Sequence, residues 1–259
     1  MGYIAAFFIG ISLGLIGGGG SILTLPVLVY LFGIAPLQAI SYSLFVVGTT
    51  SLAGAINNYR KGLVHLKTAF LFGITSVLTV FITRKFIIPV VPDTIQYGSF
   101  SITFSLLTLL LFAGLMILAS IQMIRGRKEI KNDVAPSHKV FTLSLYGLGI
   151  GLITGFLGAG GGFLLIPALA LLLRLPMKTA VGTSLLIIAM NSLIGFLGDS
   201  GQYKIDWTLL LLITAIAIAG VFIGGRIGNR IPGEKLKKGF GWFVLSMSIY
   251  IIVTELFIK

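Results

Sequence analysis

The sequence predicts an all-α, polytopic membrane protein built from two inverted-topology repeats, and three observations support this prediction. First, 56% of the 259 residues are hydrophobic and only 10% are charged, with a mean hydropathy of +1.07. Soluble domains carry about 25% charged residues, so this chain has too few charges to cover a globule of its size. Second, its charges are confined to short segments between long apolar runs. Third, its two halves match each other at one offset.

The uncharged runs are long enough to cross a bilayer, which takes about 20 apolar residues. Residues 1–59 contain no Asp, Glu, Lys or Arg, and this stretch can cross more than once. The other uncharged runs are 68–83, 94–124, 140–173, 179–198, 207–225 and 239–254. We therefore expect a multi-pass protein of the cytoplasmic membrane.

The net charge of +12 does not indicate a nucleic-acid partner. Lys and Arg lie in short loops between apolar runs, where cytoplasmic retention and anionic headgroups account for them. The expected partner is the lipid bilayer, with no nucleic acid, and a homodimer is left open.

An internal duplication relates the two halves at an offset of 141 residues. Small-residue bias in membrane helices could produce one such match, but not all of them at one offset. The predicted units are a first repeat (1–124), a cytoplasmic linker (125–139) and a second repeat (140–259). The matched segments are Gly14–Gly20 with Gly155–Gly161, Pro26 with Pro167, Ala39–Leu44 with Ala180–Leu185, and Ser51–Gly54 with Ser192–Gly195.

Each half opens with an apolar run broken by glycines, and this run is either one kinked span or a hairpin that returns to the same side. As single spans, the 19 Lys and Arg residues divide into ten and nine; as hairpins, they divide into four and 15. Since cytoplasmic loops are enriched in Lys and Arg, the hairpin is favoured. Each half then has a hairpin plus three transmembrane helices, at roughly 36–57, 66–86 and 98–124 in the first. The two hairpins open to opposite sides, which makes an inverted repeat.

The consecutive glycines predict breaks near mid-membrane, because four glycines in a row are costly and unnecessary in a packed helix. Helices starting there would point free N–H groups at an anion. The alternative is close helix packing, which we prefer for the regularly spaced glycines of 147–155 and 220–228. The candidate anion-binding residues at the breaks are Gly17, Gly18, Gly19, Gly20 and Ser21 in the first half, and Gly158, Ala159, Gly160, Gly161 and Gly162 in the second.

Polar side chains on the following helix of each half are further candidates, because hydroxyls and amides can donate to an oxyanion. The alternative is that they bond to their own helix carbonyls. The candidates are Ser43, Thr50, Thr183, Ser184 and Asn191, of which Ser43 with Ser184 and Thr50 with Asn191 are equivalent under the offset.

The seven acidic residues all fall near the ends of the predicted spans or in loops, and none lies mid-span. A cation carrier usually keeps an intramembrane carboxylate, so the substrate is expected to be anionic or neutral. The two His residues have no ligand-spaced partner, so no metal or other cofactor is expected. No arrangement of nucleophile and base is recognisable, so we do not expect an enzyme.

The glycine motifs resemble those of the sulfite exporter TauE/SafE family, also called the 4-toluene sulfonate uptake permease family. Two copies of a G-x-x-G-x-G-G-G pattern carry the resemblance, at Gly14–Gly20 and Gly155–Gly162, each followed by a proline. Ala180–Leu185 resembles the family's A-x-G-T-S-L segment, and Gly201–Trp207 resembles the end of its next loop. The resemblance implies transport of sulfite, thiosulfate or organosulfonates.

These observations lead to one expectation and two alternatives. We expect a secondary transporter of small sulfur-containing anions that works by alternating access, with the substrate at the junction of the two breaks. A passive anion channel could use the same helix termini without coupling. A structural or assembly protein would use the glycines for packing alone.

Overall fold

The computed structural model describes residues 2–17, 20–92, 94–97, 100–125, 140–157, 165–166, 169, 175–199, 204–228 and 230–255. Helices dominate these ranges. They are α1 (Gly2–Ile16), α2 (Gly20–Pro26), α3 (Pro36–Arg60), α4 (Leu66–Ile82), α5 (Phe104–Arg125), α6 (Val140–Leu157), α7 (Met177–Gly198), α8 (Trp207–Gly228) and α9 (Gly233–Val253).

Four helical stretches of the described chain are long and apolar enough to cross a membrane by themselves: 36–60, 66–90, 178–198 and 207–228. Shorter apolar helices accompany them at 2–15, 106–122, 143–156 and 244–253. Large apolar side chains such as Phe8, Phe70, Leu111 and Trp242 remain exposed on the outside of the fold. Such a surface suits lipid rather than water.

Two of the predicted spans in the first half are confirmed, and the third is shorter than expected. The spans at 36–57 and 66–86 correspond to α3 and α4; α4 continues through a π-helical turn (Thr83–Ile87) and a 3-10 turn (Ile88–Val90). The predicted span 98–124 begins only at Phe104. Strands β1 (Thr94–Tyr97) and β2 (Phe100–Thr103) form an antiparallel hairpin before it, with Thr94 paired to Thr103. The β-branched residues of these strands favour extended backbone, which the hydrophobic count alone did not register.

The first glycine-broken run is a hairpin. Gly17 adopts φ 80°, a left-handed conformation that ends α1 and that glycine adopts without a steric penalty. After the break, the chain returns along α1: a Cβ on Gly20 would lie 2.5 Å from the Ile9 carbonyl oxygen. The return brings the Phe32 ring to 5.5 Å from the Tyr3 ring, at the start of α1.

Helices α3 and α7, which match each other in the two repeats, cross in opposite directions. The contacts along the crossing are Ser41 with Asp199, Gly48 with Leu193, and Gly54 with Leu185. The offset of 141 converts the Gly54–Leu185 pair into Leu44–Gly195, which is also a contact. Thr50 and Asn191, equivalent under the same offset, fall at the same level in the middle of this series.

The remaining contacts between the halves also come in equivalent pairs. Helix α1 packs on α8, and its repeat counterpart α6 packs on α4. The closest approaches are equivalent too, because Gly10 lies against the backbone of Ala217 and Gly151 against the backbone of Ser76. Because glycine has no side chain, these helices pack with their backbones close together, as the regularly spaced glycines predict.

Candidate functional site

Buried polar side chains collect along the α3–α7 crossing, in the centre of the described fold. The predicted residues Ser43, Thr50, Thr183, Ser184 and Asn191 are all fully buried there, together with Ser51 and Ser192. The last two are equivalent under the repeat offset and were not among the predicted site residues. The sequence signal for these two residues was that Ser51 and Ser192 match at the offset of 141.

Several of these groups bond within the protein. Thr50 donates to the carbonyl oxygens of Val46 at 2.5 Å and Val47 at 3.1 Å, and Ser184 donates to that of Val181 at 2.8 Å. These bonds to the same helix match the alternative role considered for serine and threonine in membrane helices.

Asn191 forms a bond between helices. Its amide nitrogen donates to the Ser76 hydroxyl of α4 at 2.7 Å, and both side chains are fully buried. Its amide oxygen has no partner among the described residues. Asn191 therefore fixes α7 to α4 and still offers one polar atom.

Thr183 anchors a loop. Its hydroxyl accepts a hydrogen bond at 2.9 Å from the backbone N–H of His65, just before α4. At the positions related by the sequence offset of 141, the Tyr42 hydroxyl accepts from the backbone N–H of Asp206 at 2.6 Å, just before α8. The same type of bond thus occurs at both places and accounts for the burial of Thr183.

Three hydroxyls along the crossing have no partner among the described residues: those of Ser43, Ser51 and Ser192. A buried hydroxyl without a hydrogen bond costs about 1–3 kcal/mol. Ser51 and Ser192 each lie one residue from the middle of the crossing. These hydroxyls are donors that an anion could use.

Gly17 and Gly155, one described residue from each glycine motif, lie near opposite ends of the α3–α7 crossing. A Cβ on Gly17 would overlap the Val181 side chain, close to the start of α7. The carbonyl oxygen of Gly155, which opens the second motif, accepts a bond from Arg84 at 3.5 Å, close to Asp199 at the end of α7. Eighteen residues separate Val181 from Asp199, or about 27 Å of helix. Leu15, two residues before Gly17, packs on Gly228 in the last turn of α8. Gly17 therefore lies near the end of α8 and not beside its middle.

A buried ion pair between Arg84 and Asp199 occupies the second of these ends. The Arg84 guanidinium contacts the Asp199 carboxylate, whose same oxygen accepts from the Ser41 hydroxyl. Arg84 also donates to Ser41 at 3.3 Å. Arg84 is 1% exposed and Asp199 is 4% exposed.

The burial of this pair was not predicted from the sequence. Arg84 falls within the predicted span 66–86 and lies inside the continuous helical stretch 66–90. Asp199 lies at the end of a span, as expected, where it caps α7, but it is buried and paired with Arg84. The apolar residues 86–91 after Arg84 were the signal that the helix continues beyond it.

Comparison with known proteins identifies the family. The sequence profile described as sulfite exporter TauE/SafE matches residues 3–251. The chain belongs to the TauE/SafE sulfite exporter family. A probable membrane transporter protein of Xylella fastidiosa (strain 9a5c) is 32% identical over 252 residues, which cover 94% of this chain and 91% of the relative. The probable membrane transporter protein YdhB of Bacillus subtilis is 25% identical, covering 91% of this chain and 92% of the relative. No solved structure matches.

Membership of the TauE/SafE family makes this chain a multi-pass membrane transporter protein, as the sequence predicts. Among the described residues, no cluster of His, Cys, Asp or Glu could hold a metal ion. Several predicted site residues of this TauE/SafE protein lie outside the described residues, namely Gly18, Gly19, Gly158, Ala159, Gly160, Gly161 and Gly162, as does the side chain of Ser21.

Proposed function

We propose that the chain is a secondary transporter of small sulfur-containing anions that moves its substrate along the α3–α7 crossing. Family membership supports transport, and the printed family description names sulfite export. The observation that carries the proposal is the set of fully buried hydroxyls of Ser43, Ser51 and Ser192, which lack partners among the described residues. Neutral donors of this kind suit an oxyanion, because their O–H groups donate hydrogen bonds to its lone pairs without forming a permanent ion pair.

The arrangement of the halves supports alternating access between inverted repeats. Matched helices α3 and α7 run antiparallel, and the contacts α1–α8 and α6–α4 exchange under the repeat offset. Equivalent helices that run antiparallel are related by a pseudo-two-fold axis perpendicular to them, which is the geometry of an inverted repeat. Rocking one half against the other would then open each end of the crossing in turn.

The two ends of the crossing supply the entrances in this proposal. Gly17 marks one end, and Gly155 with Arg84 marks the other. We retain Gly18–Ser21 and Gly158–Gly162 as proposed anion-contacting residues, one set for each entrance. The proposed substrate route is thus a path between the two ends, in place of the single junction of two breaks expected from the sequence.

A thermal-shift screen of the purified protein tests substrate class. Sulfite, thiosulfate and organosulfonates should raise the melting temperature, and sulfate or simple carboxylates of equal ionic strength should raise it less. In the double variant Ser51→Ala with Ser192→Ala, the rise in melting temperature caused by sulfite should be smaller than in the wild type. Equal shifts for all anions, or none, would contradict a sulfur-anion site.

A further inference from the structure

We propose that Arg84 is an anion-binding site at one end of the transport path, and that Asp199 is the internal anion an incoming oxyanion replaces. The inference rests on the proposed function, because it names the group that receives the substrate. The ligand class is a small oxyanion. A guanidinium recognises oxyanions and carboxylates through the same pair of N–H donors.

The environment of Arg84 is already arranged around an anionic oxygen. One Asp199 oxygen contacts the Arg84 guanidinium and the Ser41 hydroxyl together. The other Asp199 oxygen has no hydrogen-bond partner among the described residues. An incoming oxyanion would therefore find one cation and one hydroxyl donor converging on a single point.

The fold does not require this ion pair, because the other repeat does without it. Under the offset of 141, Arg84 corresponds to Gly225, Asp199 to Asn58 and Ser41 to Gly182. Two of these counterparts also meet: a Cβ on Gly182 would lie 3.2 Å from the Asn58 Cβ. Asn58 instead donates to the carbonyl of Gly54 at 2.9 Å within its own helix. The positions equivalent to Arg84, Asp199 and Ser41 at the other end of the path therefore carry no charged side chain.

Architecture alone also gives a weak reason for burying such a pair. Desolvation of two charges offsets much of their attraction, so a buried ion pair is poor evidence for stability. Ionisable residues inside membrane proteins commonly mark substrate or ion pathways. The position beside Gly155 places Arg84 next to the second glycine motif, at an end of the crossing lined by hydroxyls.

The decisive experiment measures the melting temperature of Asp199→Asn in sodium sulfite against sodium chloride at equal ionic strength. With the internal anion removed, sulfite should raise the melting temperature by about 5 °C or more. The wild type should shift less, because sulfite must first displace the carboxylate. In Arg84→Gln combined with Asp199→Asn, the difference between sulfite and chloride should be no larger than in the wild type. Glu255→Gln is the matched control, since it removes the same charge from a carboxylate that accepts from Tyr30.

Each outcome is informative. Should Asp199→Asn be isolable only in sulfite, that rescue supports the site. If it folds in neither salt while the double variant folds, or if its sulfite shift equals that of the double variant or of Glu255→Gln, the proposal is wrong. Wild-type sulfite flux in liposomes reports on the proposed function separately. If the wild type shows no sulfite flux while Asp199→Asn keeps its sulfite-induced shift, the proposed transport function is wrong but the anion site is supported.

Discussion

Buried polar side chains along the α3–α7 crossing fall into two energetic classes. The Asn191 amide has a partner in Ser76, so its desolvation is offset within the protein. The Ser51 and Ser192 hydroxyls have no hydrogen-bond partner among the described residues. Their desolvation is therefore offset only when another group forms a hydrogen bond with them. This difference separates residues that hold the fold from residues that we propose contact the substrate.

Alanine substitutions distinguish the two classes. Ser51→Ala and Ser192→Ala should leave the free energy of unfolding unchanged or raise it, because no described bond is lost and a buried hydroxyl without a partner is removed. Ser76→Ala leaves the buried Asn191 amide without its acceptor and should cost about 1–3 kcal/mol. Denaturation in detergent measures both. A larger loss in Ser51→Ala than in Ser76→Ala would contradict the assignment.

At the scale of helices, glycines on α1, α6 and α8 set how closely the two halves approach. A Cβ on Gly151 would lie 2.6 Å from the Ser76 carbonyl oxygen, and one on Gly224 would overlap the Ile11 backbone. Backbone cannot move aside as a flexible side chain can. By contrast, nothing lies within 4 Å of the Cβ position of Gly149, two residues before Gly151 on α6.

Gly151→Ala and Gly149→Ala form a matched pair on one helix. Gly151→Ala should lower the melting temperature by separating α6 from α4, at a cost of about 1–3 kcal/mol. Gly149→Ala should raise stability by about 0.5–1 kcal/mol, because alanine is the better helix former and meets no atom. Thermal unfolding of both variants checks this. Equal destabilisation of the two would show that α6 does not pack as described.

The turn after α1 provides a second matched pair. Gly17 (φ 80°) and Gly33 (φ 67°) both adopt left-handed backbone, but only Gly17 lies against a side chain, that of Val181. Gly33→Ala should cost only the conformational penalty, about 1–2 kcal/mol. Gly17→Ala should cost more than Gly33→Ala, and Gly17→Ala with Val181→Ala should recover part of the difference. No recovery in the double variant would mean that Gly17 does not contact α7.

Much of the fold follows from the sequence, since hydrophobic length and repeats are local signals. Spans α3 and α4, the packing glycines and the hairpin at Gly17 were all predicted from runs and charge counts. The burial of Arg84 was not, because the predicted span 66–86 includes Arg84 but does not show which distant residue pairs with it. Asp199 lies 115 residues further along the chain. For the same reason the hydrogen bond from His65 to Thr183 could not be anticipated.

At the scale of the molecule, the ends of the helices define two sides. The end of α3 meets the start of α7, since a Cβ on Gly182 would lie 3.2 Å from the Asn58 Cβ, and it meets the end of α8 through Asn57 and Gly225. Lys61, just after α3, and Lys235, shortly after α8, are therefore expected on one side. Lys85, beside Arg84, belongs to the other.

Single cysteines test this arrangement cleanly, because the chain has no natural Cys. In whole cells, Lys61→Cys and Lys235→Cys should resist an impermeant thiol reagent, since the Lys- and Arg-rich side faces the cytoplasm. Lys85→Cys should react. Labelling of only one of Lys61→Cys and Lys235→Cys would contradict the inverted repeat.

Sulfite exchange in liposomes tests most directly the proposal that this TauE/SafE protein carries sulfur anions by alternating access. Purified protein in liposomes should take up radiolabelled sulfite with saturable kinetics, and uptake should accelerate when the lumen holds unlabelled sulfite. Trans-stimulation arises because a loaded carrier returns substrate-bound, whereas a channel has no such step. Uptake that rises linearly with sulfite and ignores internal sulfite would contradict the carrier and favour a passive anion channel.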